Sequence, residues 1–89
     1  MKIKVANYIS QFLVDHGVTD AFSVVGGGAM HLNDAFGHQE GLHTTYNHHE
    51  QACAIAAEAY ARLENKIALV CVTSGPGGIN ALTLSLIHI

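Results

Sequence analysis

Charge is scarce in this chain of 89 residues, where only 12% of positions are Asp, Glu, Lys or Arg. Disordered segments are polar and charge-rich, so this composition argues for a packed structure. The four cations, Lys2, Lys4, Arg62 and Lys66, are scattered, and the net charge is −3. Nucleic-acid and anionic-membrane partners need clustered basic residues, and neither is expected. Cysteine is limited to Cys53 and Cys71, each inside an apolar run. That placement predicts buried free thiols, not a disulfide framework. No apolar run reaches the roughly 18 residues of a membrane span. The N-terminus lacks the apolar core and cleavage site of a signal peptide, so a cytoplasmic location is the expectation.

What is abundant is apolar surface, at 49% of residues. Small domains have much surface to cover, so this richness suits elements buried on both faces or a piece of something larger. Val5, Tyr8, Ile9, Phe12 and Leu13 recur at helical spacing and predict a surface helix with one buried stripe, stopped at Gly17. Ala21 to Val25 reads as a strand, broken by Gly26-Gly27-Gly28. A short helix is expected over Ala29 to Phe36, closed by Gly37, with Leu42 the core candidate beyond it. Thr44-Thr45-Tyr46 has strand propensity. Glu50 to Leu63 is Ala-rich, free of Gly and Pro, and predicts a strong helix. Ile67 to Thr73 is almost continuously apolar, as in a strand from the middle of a parallel sheet. Ser74-Gly75-Pro76-Gly77-Gly78 is a tight turn, and Ile79 begins a further helix.

This alternation of helices and strands over short connections predicts an α/β fold, a parallel sheet flanked by helices. Ligands bind such sheets beyond the strands' carboxyl ends. Three loops fall there: Gly26 to Gly28, Asn47 to Glu50, and Ser74 to Gly78. The first is not a full dinucleotide fingerprint, because His31 stands at its last glycine position. The third lacks the Lys-Ser/Thr pair of a P-loop, though its backbone could cradle a phosphate. In the second, His43, His48 and His49 lie near a carboxylate, but Cys53 occupies the place of the second His in H-E-x-x-H, and no metal site is read. By residue type alone, Glu50 is either a helix-start carboxylate favoured by the macrodipole or a functional acid.

Three stretches taken together decide the family reading: GVTDAFSVVGGGAMHLNDAFG, NHHEQACAIAAEAYARLENK and IALVCVTSGPGGINALT. They resemble, in order and spacing, the pyrimidine-binding domain of the acetolactate-synthase-like thiamine-diphosphate enzymes. H-E-Q-A before A-A-E-A-Y-A-R, followed by T-S-G-P-G-G-x-N, is the specific part. The resemblance implies a three-layer domain and a function in decarboxylation or carboligation of 2-oxo acids. It assigns Glu50 as the carboxylate that hydrogen-bonds N1′ of the cofactor aminopyrimidine and favours its 4′-imino tautomer. It places Pro76 and Asn80 at the pyrimidine pocket, and Gly27 and Gly28 in a loop near the cofactor of a neighbouring subunit. His49 and Gln51 are supporting residues at best. The implied cofactor is thiamine diphosphate, with Mg²⁺ and diphosphate held by a domain outside this chain. A flavin is left open. The implied partner is a second subunit, in a homodimer or tetramer. Residues 1–83 read as the N-terminal part of the domain, and 84–89 as a non-native tail on a truncated chain that is inactive alone. The rival readings are a small nucleotide- or phosphate-binding module and a non-catalytic structural half-domain.

Overall fold

The computed structural model describes residues 2–88, with side chains through Ser85. Three parallel strands, β1 (Asp20–Ser23), β2 (His43–Tyr46) and β3 (Leu69–Cys71), form one sheet in the order β2-β1-β3. The register pairs Ala21 with Thr44 on one side and with Leu69 on the other. The helices are α1 (Val5–Asp15), α2 (Met30–His38), α3 (Glu50–Glu64) and α4 (Pro76–Leu82). A 3₁₀ turn, Gly27–Ala29, opens α2, and a second 3₁₀ segment, Thr83–His88, follows α4. This is the expected α/β fold, built in three layers.

Side-chain alternation along β1 separates the layers. Ala21 and Ser23 face α1 and α2, in a core with Val18, Ala29, Phe36, Leu42 and Cys71. Asp20 and Phe22 face α3, where the Tyr60 hydroxyl donates to Asp20 and its ring lies 6.0 Å from that of Phe22. Cys53, Ala54 and Ala57 are the buried residues of α3, small enough for close approach to the sheet. Both cysteines are free and buried, as expected.

Several local expectations change. α2 runs through Gly37 to His38, and the positive φ that ends the connection lies at Gly41. Gly37 has ample space around it and no left-handed backbone, so nothing there stops a helix. α4 begins at Pro76, three residues before Ile79, because proline suits the first helical turn. β3 is an edge strand of the described sheet, not a central one, and Ile67 lies outside it at 73% exposure. The stop at Gly17 holds. Gly17 has φ +87° and donates to Val14 O at 3.0 Å, while Val18 donates to Leu13 O at 3.0 Å, the paired bonds of a Schellman ending. The boundary expected after Thr83 falls inside the second 3₁₀ segment, and Ile89 lies outside the described residues.

Most of the stripe on α1 is not buried, although Leu13 packs against the core. Val5, Tyr8 and Phe12 are 75%, 58% and 48% exposed, and the fully buried residue of the helix is Ser10. Helical periodicity marks an apolar face but not what covers it. Ile55, Leu63, Ile79 and Leu82 are also exposed. Apolar surface on this scale, beside open strand edges, favours association. The 89-residue chain alone is expected to sediment as oligomers or aggregate at micromolar concentration. A single monomeric boundary in sedimentation velocity would contradict this.

The Asp20–Tyr60 contact ties α3 to the amino end of the sheet. The Tyr60 hydrogen bond, more than those of Thr19 or the charges of His43 and Lys66, holds the Asp20 carboxyl below its ordinary range. A lowered carboxyl stabilises the fold fully above its unfolded pKa and loses that contribution as pH falls through the folded value. Tyr60→Phe should therefore move the Asp20 titration upward, read by NMR of the carboxyl carbon, and bring the onset of acid unfolding to higher pH.

Candidate functional site

The strand order makes the site. The β1-to-β2 connection carries α2 on one face, and the β2-to-β3 connection carries α3 on the other. The connections that leave β1 and β3 go to opposite faces, α2 on one and α4, packed on α3, on the other, which opens a crevice at the carboxyl ends of β1 and β3. The Gly26–Gly28 loop and the Thr73–Gly78 loop meet there, and the start of α3 closes the site from β2.

Thr73 is the point of contact between the two glycine loops. Gly28 N donates to Thr73 Oγ1 at 3.2 Å. A Cβ on Gly26 would lie 2.5 Å from Thr73 Cβ, and one on Gly28 or Gly77 would lie 3.0 Å from other Thr73 atoms. Three glycines thus clear the volume that one threonine fills. Gly75 caps α4 with φ +74° and ψ −130°, a conformation that side chains rarely adopt.

Beneath these loops lies a buried polar bridge. Ser23 Oγ is 2.8 Å from both the Asn33 amide oxygen and the Cys71 carbonyl, while Asn33 Nδ2 has no partner. One hydroxyl proton cannot serve both contacts. Turning the Asn33 amide resolves this: Nδ2 donates to Ser23 Oγ, and Ser23 donates to Cys71 O. The bridge joins β1, β3 and α2 directly under the crevice.

Glu50 is the first residue of α3. Asn80 Nδ2 donates to its Oε2 at 3.3 Å, and its Oε1 lies 3.6 Å from where a Gly77 Cβ would stand. Its own backbone N–H, then the Asn80 amide, holds the carboxyl below its ordinary range, with desolvation opposing. Glu50 is therefore an ionised acceptor at neutral pH. Among the described residues no other side chain donates to it. His49 is the N-cap of α3, and its Nδ1 accepts from Gln51 N at 3.0 Å. Gln51 Nε2 reaches Thr83 Oγ1 at 3.1 Å, linking the start of α3 to the end of α4.

Of the residues expected at the site, Glu50 and Asn80 are in contact, and Gly28 lies against Thr73 and Ser74. Pro76 sits exposed in the first turn of α4, and Gly27 is exposed with open space where a Cβ would stand. Sequence reasoning missed Thr73, Ser23 and Asn33. The signal for Thr73 was a β-branched residue immediately before a glycine-rich turn. Ser23 and Asn33 carried none, because a polar residue in a short strand or helix does not announce its burial.

The carboxylate, its rigid helix start and its free acceptor position suit a ligand that presents an N–H on a planar ring. No group of three His, Cys, Asp or Glu side chains positioned to hold a metal occurs among the described residues. The site thus fits the aminopyrimidine end of thiamine diphosphate. Comparison with known proteins gives the family. Residues 3–84 match the family described as thiamine pyrophosphate enzyme, N-terminal TPP binding domain, and the chain belongs to that family.

Within it, the chain is similar to acetolactate synthase large subunits. It is 39% identical over 82 residues to that of Haemophilus influenzae, covering 92% of this chain and 14% of the relative. It is 40% identical over 75 residues to that of Lactococcus lactis, covering 84% and 13%. It is 36% identical over 78 residues to the isozyme 3 large subunit of Escherichia coli, covering 88% and 14%. The chain spans about one seventh of the length of these relatives. No helix among the described residues is long and apolar enough to cross a membrane.

Proposed function

We propose that this chain supplies the pyrimidine side of a thiamine diphosphate site in an acetolactate-synthase-like enzyme acting on 2-oxo acids. The observation that carries this reading is Glu50: an ionised carboxylate at a rigid helix start, oriented by Asn80 and with an acceptor position open. Glu50 holds the proton at N1′ of the aminopyrimidine. Asn80 orients the carboxylate from the side, and Pro76 offers the ring a flat apolar surface. Gly27 and Gly28 bring bare backbone to the edge of the crevice. When bound, the cofactor supplies an electron sink for loss of carbon dioxide from a 2-oxo acid. The diphosphate and its Mg²⁺ are held by residues outside this chain, and a second subunit completes the site. Transferase or lyase chemistry, and any flavin, are decided by those other parts. The 89 residues alone do not turn over substrate, and residues 84–89 contribute nothing to the site.

A chimera tests this directly. Residues 3–84 replace the matching segment of the Haemophilus influenzae acetolactate synthase large subunit. The expected result is carbon dioxide release from pyruvate that depends on added thiamine diphosphate. A folded, assembled chimera without such turnover sinks the proposal, as does carbon dioxide release by the 89-residue chain alone. Mononucleotide binding without thiamine preference would favour a phosphate-binding module instead.

A further inference from the structure

We propose that His49 is the positioning residue for Glu50 and performs that role only as the neutral imidazole. This rests on the reading of Glu50 as the working carboxylate. The cap geometry fixes the tautomer. His49 has the extended backbone of an N-cap, φ −149° and ψ 142°, and its Nδ1 lies 3.0 Å from Gln51 N. A backbone N–H only donates, so Nδ1 is the bare acceptor nitrogen and the ring proton is on Nε2.

Glu50 stands between the two partners of that bond. His49 O also accepts from Cys53 N at 3.2 Å, so the residue before Glu50 holds the first turn through both its side chain and its carbonyl. A carboxylate on the first helical residue points where that turn directs it. Protonation sets an N–H against the Gln51 N–H and puts positive charge at the positive end of a 15-residue helix. The cap is then lost.

Among the described residues, the second 3₁₀ segment packed against α3 adds no titratable side chain over 83–85, and one carboxylate stands next to His49 in the chain. Glu50 follows His49, and His48 precedes it. α4, packed against α3, has no titratable side chain over Pro76–Leu82. β3 presents Cys71, and on β1 Asp20 lies at the opposite end, bonded to Tyr60. His49 is exposed, and its charge acts on the neighbouring Glu50 carboxylate. Acidification thus removes the cap that holds the first turn. Glu50 is held below the usual carboxylate range and stays ionised over the same interval.

Hydrogen exchange of the amides of residues 50–54, followed by mass spectrometry in the cofactor-free chimera, tests this apart from activity. Between about pH 7.5 and about pH 5.5, after correction for intrinsic exchange, protection should fall about fivefold, the loss of one cap. In His49→Asn, Oδ1 takes the place of Nδ1 and does not titrate, so protection should survive acidification. In His49→Gln the amide mimics Nε2 instead, and protection should be low at both pH values. The acid limb of kcat should flatten in His49→Asn alone. Equal acid loss of protection in the parent and His49→Asn overturns the proposal, as does no loss in the parent or full protection in His49→Gln. Activity that survives Glu50→Gln would instead remove the reading of Glu50 and leave the exchange result standing.

Discussion

Glu50→Gln in the chimera is expected to lower thiamine-diphosphate-dependent turnover by about 10²- to 10⁴-fold at saturating cofactor, the range for loss of one general acid–base group. The substitution keeps the shape of the side chain and an oxygen that can accept from Asn80. What it removes is the charge. An amide oxygen can accept a hydrogen bond from a ring N–H but cannot stabilise a proton there as a carboxylate does. Asn80→Ala should act in the same direction and more weakly, because it frees the carboxylate to rotate without neutralising it. The measurement is kcat over a cofactor titration, with circular dichroism to confirm folding. Glu50 is only partly buried, so the melting temperature should change little. Turnover by Glu50→Gln within about threefold of the parent would remove Glu50 from its proposed role.

Gly26→Ala should be the most damaging of the glycine substitutions to stability. Its new Cβ would stand 2.5 Å from Thr73 Cβ and 2.9 Å from both other side-chain atoms of Thr73. The collision is with the first atom of a side chain fixed by its backbone, so no rotamer change relieves it. Overpacking of this kind costs about 1–3 kcal/mol. Gly27→Ala serves as the control, since nothing lies within 4 Å of its new atom. Thr73→Ala should not rescue Gly26→Ala, because the offending Cβ remains. Thr73→Gly should, as a non-additive pair in a double-mutant cycle of melting temperatures. Equal melting temperatures for Gly26→Ala and Gly27→Ala would show that the loops do not touch as described.

Much of the chain was legible because each element carries its own local signal. α3 follows from an Ala-rich run without breakers, and its observed limits, Glu50–Glu64, differ from the expected ones by a single residue. β1 and β3 follow from short apolar runs that lead into glycine turns, and β2 from the strand propensity of Thr44-Thr45-Tyr46. Elements whose ends depend on tertiary contact were harder. Gly37 looked like a stop because glycine often is one, yet a glycine in right-handed helical conformation stops nothing. The stripe on α1 had the right period, yet all of it but Leu13 faces outward, because period reports amphipathicity and not the presence of a covering partner.

The candidate site divides in the same way. Glu50, Asn80 and the two glycine loops stood out through their motif, and their convergence was expected from parallel strands alone. The Thr73 wedge and the Ser23–Asn33 bridge were not, because each is a contact between residues far apart in sequence with no periodic trace.

The sequence by itself therefore determined the class of fold, the elements, the edge of the sheet where a ligand would bind, and the carboxylate proposed to meet it. Those properties depend on hydrophobic period, turn chemistry and motif spacing, all local quantities. Only the tertiary structure decided the strand order β2-β1-β3, which opens the crevice between β1 and β3. It alone decided that Asn80 holds Glu50, that own-backbone and amide donors outweigh desolvation there, and that His49 caps the helix through Nδ1. Such properties depend on distances between groups that chain order does not encode, and on the balance of solvation against hydrogen bonding that only packing sets.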